Sequence, residues 1–147
     1  MRTWIVGIAL DFATRSAVEQ GARACTEVDA LCVDDYAAGW RLLLQRTDVA
    51  AAGVPALIII DADAGAPAVS LISAVRAPTS LRRVPIVALV TAMPAGGLAP
   101  LYEAGINSAV PRPEQTSNLA KTMEQLLRYW LTFNEPAPET GSHAAPG

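Results

Sequence analysis

The stretch Pro55-Ala-Leu-Ile-Ile-Ile-Asp61 decides the fold. From Ala56 to Ile60 it is apolar without a break, so no alternation reserves one face for water. A strand of this kind is covered by helices on both sides, which is the condition of a central strand in a parallel sheet. It stops abruptly at Asp61. Pro85 to Val90 repeats the pattern before Thr91. Working outward, Thr3 to Ile8 reads as a first strand, Ala30 to Val33 as a short second, and Ser108 to Val110 as a weaker fifth.

Segments of helical period separate these runs. Asp11 is placed to cap a helix that continues through Val18 to about Ala24. Tyr36, Trp40, Leu43 and Leu44 recur on one face of a second helix, and Val69, Ile72 and Val75 mark a third. Gly96-Gly97 reads as a flexible loop, since it lacks the spacing of any phosphate-binding fingerprint. A short helix with Leu101 and Tyr102 follows, ended by Gly105. Leu119, Met123, Leu126, Leu127, Trp130 and Leu131 then hold the clearest helical stripe. Strand and helix alternate throughout, which predicts an α/β, flavodoxin-like doubly wound sheet of five parallel strands, order 2-1-3-4-5, with five helices. The expected domain spans 1–133. Residues 134–147, rich in Pro, Ala, Gly and Ser, are expected to form a disordered tail.

At 147 residues and 52% hydrophobic content, the chain has material for one buried core. Its net charge of -3 and the absence of a Lys/Arg run argue against nucleic acid as a partner. The longest apolar stretch falls far short of the roughly 20 residues that span a bilayer. Met1-Arg2-Thr3-Trp4 lacks a signal-peptide pattern, so the expected address is cytoplasmic. Cys25 and Cys32 match no metal spacing and read as reduced packing residues, as do Trp4 and Trp40. The one histidine, His143, lies in the tail, which removes His-based triads and metal sites from consideration. A flavodoxin-like enzyme or small-ligand binder is disfavoured further by the missing glycine fingerprint and the lack of clustered polar residues, so no enzymatic activity is expected.

Ligands of open parallel sheets bind beyond the carboxyl ends of the strands, near the switch in strand order. That rule brings together Asp61 after the third strand, Thr91 after the fourth and Arg112 after the fifth. A carboxylate nucleophile, with a hydroxyl and a cation as donors to the transferred group, would make a phosphoryl site.

Three stretches, Pro55 to Asp61, Val84-Pro-Ile-Val-Ala-Leu-Val-Thr91-Ala92 and Glu103-Ala-Gly-Ile-Asn-Ser108, resemble the signatures of response-regulator receiver domains. The resemblance covers nearly the whole chain. The run Leu127-Arg-Tyr-Trp-Leu-Thr-Phe-Asn-Glu-Pro136 is similar, more narrowly, to single-domain receivers that accompany bacterial phytochrome kinases. By this resemblance Asp61 stands where a sensor histidine kinase delivers a phosphoryl group, and Thr91 where that group is bound.

Three departures qualify the resemblance. Receivers hold Mg²⁺ with two adjacent acids just after the first strand, whereas Ile8, Ala9 and Leu10 stand there. Mg²⁺ needs near-octahedral oxygen ligands, so Asp61 with few anionic helpers is expected to bind it weakly or not at all. Asp63 and Asp11 are the substitute ligands, or else a solvated loop acid and a helix cap. Arg112 replaces an almost fixed Lys. A rigid guanidinium fork could pair with Asp61 bidentately, either simply neutralising it or serving to bind phosphate or a partner's acid. Ala109 replaces the aromatic whose rotation reports phosphorylation.

The expected function is therefore that of a degenerate receiver, or pseudo-receiver, of a two-component system, acting by protein binding. Its expected partners are a sensor histidine kinase, phytochrome type included, another receiver, or a second copy. The alternative is a working phospho-acceptor modified on Asp61. Tyr129, Leu131 and Phe133 crowd one helix end, and their faces cannot all turn inward. They suggest a homodimer through the C-terminal helix, the other reading being a helix end tucked over the sheet edge.

Overall fold

The computed structural model describes residues 3–25, 27–47, 53–92, 96–113 and 115–133. Five strands run in order: β1 Thr3–Ile8, β2 Val28–Val33, β3 Leu57–Asp61, β4 Ile86–Val90 and β5 Ser108–Pro111. They form one parallel sheet in the order β2-β1-β3-β4-β5. The helices between them are α1 Phe12–Arg23, α2 Tyr36–Thr47, α3 Ala66–Arg76, α4 Ala99–Ala104 and α5 Thr116–Arg128. A 3₁₀ turn spans Thr79–Leu81, and a π-helical turn, Tyr129–Phe133, extends α5. The doubly wound fold and strand order are those expected from the sequence. The 134–147 tail lies outside the described residues.

The apolar run of β3 is explained by its two neighbours and two covering layers. Ile58 and Ile60 point to one core with Val6, Ile8, Ile86, Ala88 and Val90, capped by Leu43 of α2 and by Leu71, Ile72 and Val75 of α3. Leu57 and Ile59 point to the other, with Ile5, Val87 and Leu89 beneath Ala17, Val18 and Ala22 of α1 and Leu119, Met123, Leu126 and Leu127 of α5. Each fully buried Ile or Leu contributes about 1.5–3 kcal/mol of apolar transfer. The two-residue alternation of a strand distributes these side chains to opposite faces.

Two details differ from the sequence expectation. β2 starts at Val28, two residues before Ala30, because the parallel register with β1 continues through Thr3 and Trp4. Leu44 is 41% exposed, while Leu43 is buried, so the inward face of α2 is narrower than its apolar residues imply.

α2 approaches the sheet closely at Gly39, where an added Cβ would lie 2.8–3.0 Å from three side-chain carbons of Ile8. Ile8 is fully buried at that contact.

Arg76 fastens the end of the sheet opposite the strand tips. Its Nε donates to the Gly105 carbonyl at 2.8 Å. Its Nη1 donates to the carbonyls of Leu81, Arg82 and Val84 at 3.1, 2.9 and 2.7 Å. Its Nη2 reaches Asn107 Oδ1 at 2.8 Å, and that oxygen also accepts from the Ile86 amide at 2.8 Å. One guanidinium thus ties α3 to the turns that enter β4 and β5. Gly105, with φ of 127°, is required there because a Cβ would lie 2.5 Å from Arg76 Cγ.

Candidate functional site at the strand tips

The tips of β1, β3, β4 and β5 meet at one end of the sheet, and the parallel register sets which side chains face the crevice. Asp61 is the last residue of β3 and pairs with Leu89 of β4. Its Oδ1 accepts from the backbone amide of Asp63 at 2.8 Å, closing a tight local turn. Partial burial pushes the Asp61 carboxyl above its ordinary range. The Asp63 amide and Arg112 oppose that shift, and the charges of Asp63 and Asp11 add to it.

Thr91, immediately after β4, turns toward Asp63 rather than Asp61. Its amide donates to Asp63 Oδ1 at 2.8 Å and its hydroxyl to Asp63 Oδ2 at 2.6 Å. Both carboxylate oxygens of Asp63 are engaged by one residue. Asp63 is an exposed loop acid, as one expectation had it, and it also clasps the tip of the neighbouring strand.

Arg112 is aligned by its own amide, which donates to the Val90 carbonyl at 2.9 Å. Its Nη2 donates to the Thr91 hydroxyl at 3.2 Å, and its Nη1 lies 3.0 Å from Asp11 Oδ2. The expected bidentate pairing with Asp61 does not form. Asp11 competes successfully because it caps α1, its Oδ1 accepting from the Thr14 amide at 2.8 Å, and this holds the carboxylate above the β5 tip. The Thr14 side chain and amide, with Arg112, hold the Asp11 carboxyl below its ordinary range against the opposing effect of burial. Asp11 is therefore a helix cap, as one expectation had it, and an ion-pair partner besides.

The apolar residues after β1 have separate fates. Ile8 belongs to the buried core. Ala9 takes φ of 61°, a left-handed conformation that a Cβ disfavours. Leu10 is half-buried and packs against the core on the α1 and α5 side.

One residue of the crevice, Tyr36, and one tyrosine beside β5, Tyr102, make hydrogen bonds that the sequence does not reveal. Tyr36 packs its ring on the core-facing side of α2 and donates its phenol to the Asp61 backbone carbonyl at 2.6 Å. Burial, then the charges of Asp61 and Asp63, push its phenol up to about 12. Tyr102, 48% exposed on α4, accepts a 3.3 Å hydrogen bond from the amide of Ala109. The signal for both was available in kind: a phenol beside an apolar face seeks a polar partner. The crevice is consequently more polar than expected, since Asp11, Asp61, Asp63, Thr91, Arg112 and Tyr36 all gather there.

These residues do not fit a divalent cation well. Asp63 is occupied by Thr91, Asp11 by Arg112 and Thr14, and one oxygen of Asp61 by an amide. Among the described residues, no three of His, Cys, Asp or Glu gather in a metal-binding arrangement. Mg²⁺ would share these oxygens with their present donors and draw most of its ligands from water.

At the C-terminal helix, Tyr129 is 52% exposed and stacks edge-on with Trp130, ring centroids 5.2 Å apart. Leu131, four residues after Leu127, shares its inward face and packs with Trp130 against the core. It is partly buried there, whereas Tyr129 faces outward. The Phe133 side chain lies outside the described residues.

The sequence matches no protein-family model and no curated protein. Solved structures, by contrast, share its fold. The phosphorylated cyanobacterial phytochrome response regulator RcpA superposes with a TM-score of 0.81 at 18% identity, over 94% of this chain and 100% of that one. The Mn²⁺-bound response regulator Rcp1 gives 0.77 at 18% identity, over 91% and 98%. RPA3017, a response regulator in red light signalling of R. palustris, gives 0.72 at 18% identity, over 94% and 99%. The chain has the fold of response-regulator receivers, phytochrome-associated ones among them. Among its described residues, no helix is long and apolar enough to cross a membrane.

Proposed function

We propose that this chain is a degenerate receiver of a two-component signalling system that works in the cytoplasm by binding proteins, without standard phosphorylation. The observation that carries the reading is Ile8: the position beside Asp61 where an acid would help hold a cation is a fully buried core residue. The commitment of the Thr91 donors to Asp63 and of Arg112 Nη1 to Asp11 supports it further, because an incoming phosphoryl group would have to compete with these carboxylates for them. Phosphoryl transfer depends on positioned cations to neutralise developing charge, and that provision is weak here. The fold likeness to phytochrome response regulators favours a phytochrome-type sensor histidine kinase, or another receiver, as the docking partner.

The experiment is incubation of the full chain with a small phosphodonor and Mg²⁺, followed by intact mass. The expected result is an unchanged mass. A stoichiometric phosphoryl adduct that disappears in Asp61→Asn overturns the proposal and establishes Asp61 as a working acceptor.

A further inference from the structure

The geometry points to Asp63 as a built-in anionic occupant of the strand-tip crevice, one that pins Thr91 in a single position without any added group. The inference deepens the reading above: a module that binds without phosphorylation needs a surface held in one state, and Asp63 supplies the hold.

The Thr91 amide and hydroxyl converge on one place, and both are filled by the two oxygens of a single carboxylate, at 2.8 and 2.6 Å. Two parallel donors on a carboxylate fix direction as well as distance, and hydrogen bonds to an ionised acceptor are roughly twice as strong as neutral ones. The carboxylate is itself positioned, because the Asp63 amide donates to Asp61 Oδ1 and the Ala62 amide to the Leu89 carbonyl at 2.9 Å. The occupant therefore sits on a segment bonded to β4, the strand whose tip it holds.

Arg112 closes the arrangement from the other side. Its Nη2 donates to the Thr91 hydroxyl oxygen at 3.2 Å while that hydroxyl donates its proton to Asp63. The hydroxyl thus accepts on one side and donates on the other, which leaves it little rotational freedom. Arg112 is in turn restrained by Asp11 at 3.0 Å. A continuous chain, Asp11 to Arg112 to Thr91 to Asp63, links the tips of β1, β5, β4 and β3. The Asp61 side chain enters only by accepting from the Asp63 amide through Oδ1, so the hold on Thr91 needs no group attached to Asp61.

The test compares Asp63→Ala, Asp63→Asn and Asp61→Asn with wild type, using amide hydrogen exchange and side-chain couplings of Thr91 by NMR, with no phosphodonor or Mg²⁺ present. In Asp63→Ala the Thr91 amide is expected to exchange about tenfold faster, and its side chain to average over rotamers. Asp63→Asn, which keeps one acceptor oxygen but loses the charge, is expected to fall between and guards against a failure of the alanine variant to fold. Asp61→Asn retains Oδ1 and is expected to leave Thr91 unchanged. Unaltered Thr91 exchange in both Asp63 variants, or an effect of Asp61→Asn as large as that of Asp63→Ala, overturns the inference. Because no phosphodonor is used, the outcome is separate from that of the mass experiment, and either idea can fail while the other stands.

Discussion

The Tyr36 phenol reaches across from the first turn of α2 to donate a 2.6 Å hydrogen bond to the backbone carbonyl of Asp61. It anchors the end of β3 from the β2 side of the sheet, where Asp61 has no paired strand residue to hold that carbonyl. Tyr36→Phe is expected to cost about 0.5–1.5 kcal/mol, read as a lowered urea midpoint. The same phenol titrates at about 12, against an ordinary 10.0, chiefly because it is buried. A raised folded value means the stabilising contribution is whole below the unfolded value and fades as pH climbs through the folded one. Wild type should therefore lose stability between about pH 10 and 12 by a component that Tyr36→Phe lacks. Identical alkaline slopes in the two proteins would refute the assignment.

Asp61→Asn is expected to stabilise the fold at neutral pH by on the order of 0.5 kcal/mol. The carboxyl is raised above its ordinary 3.8, with burial the largest cause. Its favourable contribution thus exists at acid pH and is lost as pH rises and the group ionises. Asparagine keeps the oxygen that accepts from Asp63 and removes the charge. The gain in unfolding midpoint should shrink toward zero below about pH 3, where the wild-type acid is neutral in both states. A gain that persists unchanged in acid points to packing instead.

Arg76→Ala should destabilise by about 2–4 kcal/mol, because it strips partners from several carbonyls and from Asn107 at once. Arg76→Lys is expected to recover only part of this, since one ammonium cannot span acceptors that a planar fork serves together. Chemical denaturation of both variants is the measurement, and equal stabilities of lysine and wild type would contradict the geometric argument.

Self-association through the C-terminal helix is expected to depend more on Tyr129, which is exposed there, than on Leu131, which is partly buried against the core. Light scattering should find wild type dimeric and Tyr129→Ser shifted to monomer. A monomeric wild type at tens of micromolar ends the dimer proposal.

The sheet was legible because burial on both faces writes a continuous apolar run, as in Leu57 to Ile60 and Ile86 to Val90. The start of β2 was not, since Asp29 interrupts the run while pairing opposite Trp4. The rule that ligands gather at strand tips brought Asp61, Thr91 and Arg112 to one crevice. It could not say which acid each donor chooses. Arg112 takes Asp11 and Thr91 takes Asp63 because of helix capping and a turn two residues past β3, and such choices depend on offsets of a few ångströms between segments distant in sequence. Tyr36 was hidden for a related reason: its ring belongs to the helix face, and only its oxygen belongs to the site.

The close seat of Ile8 against Gly39 makes the present architecture hard to reverse. An acid introduced at that position would be desolvated within an aliphatic enclosure rather than presented to the crevice, and an uncompensated buried charge costs several kcal/mol. Recovering a cation ligand there requires α2 to lift or β1 to slip as well. An acid at position 8 thus meets a loss of folding before any gain of chemistry, and the contact that buries Ile8 works as a latch against that exchange.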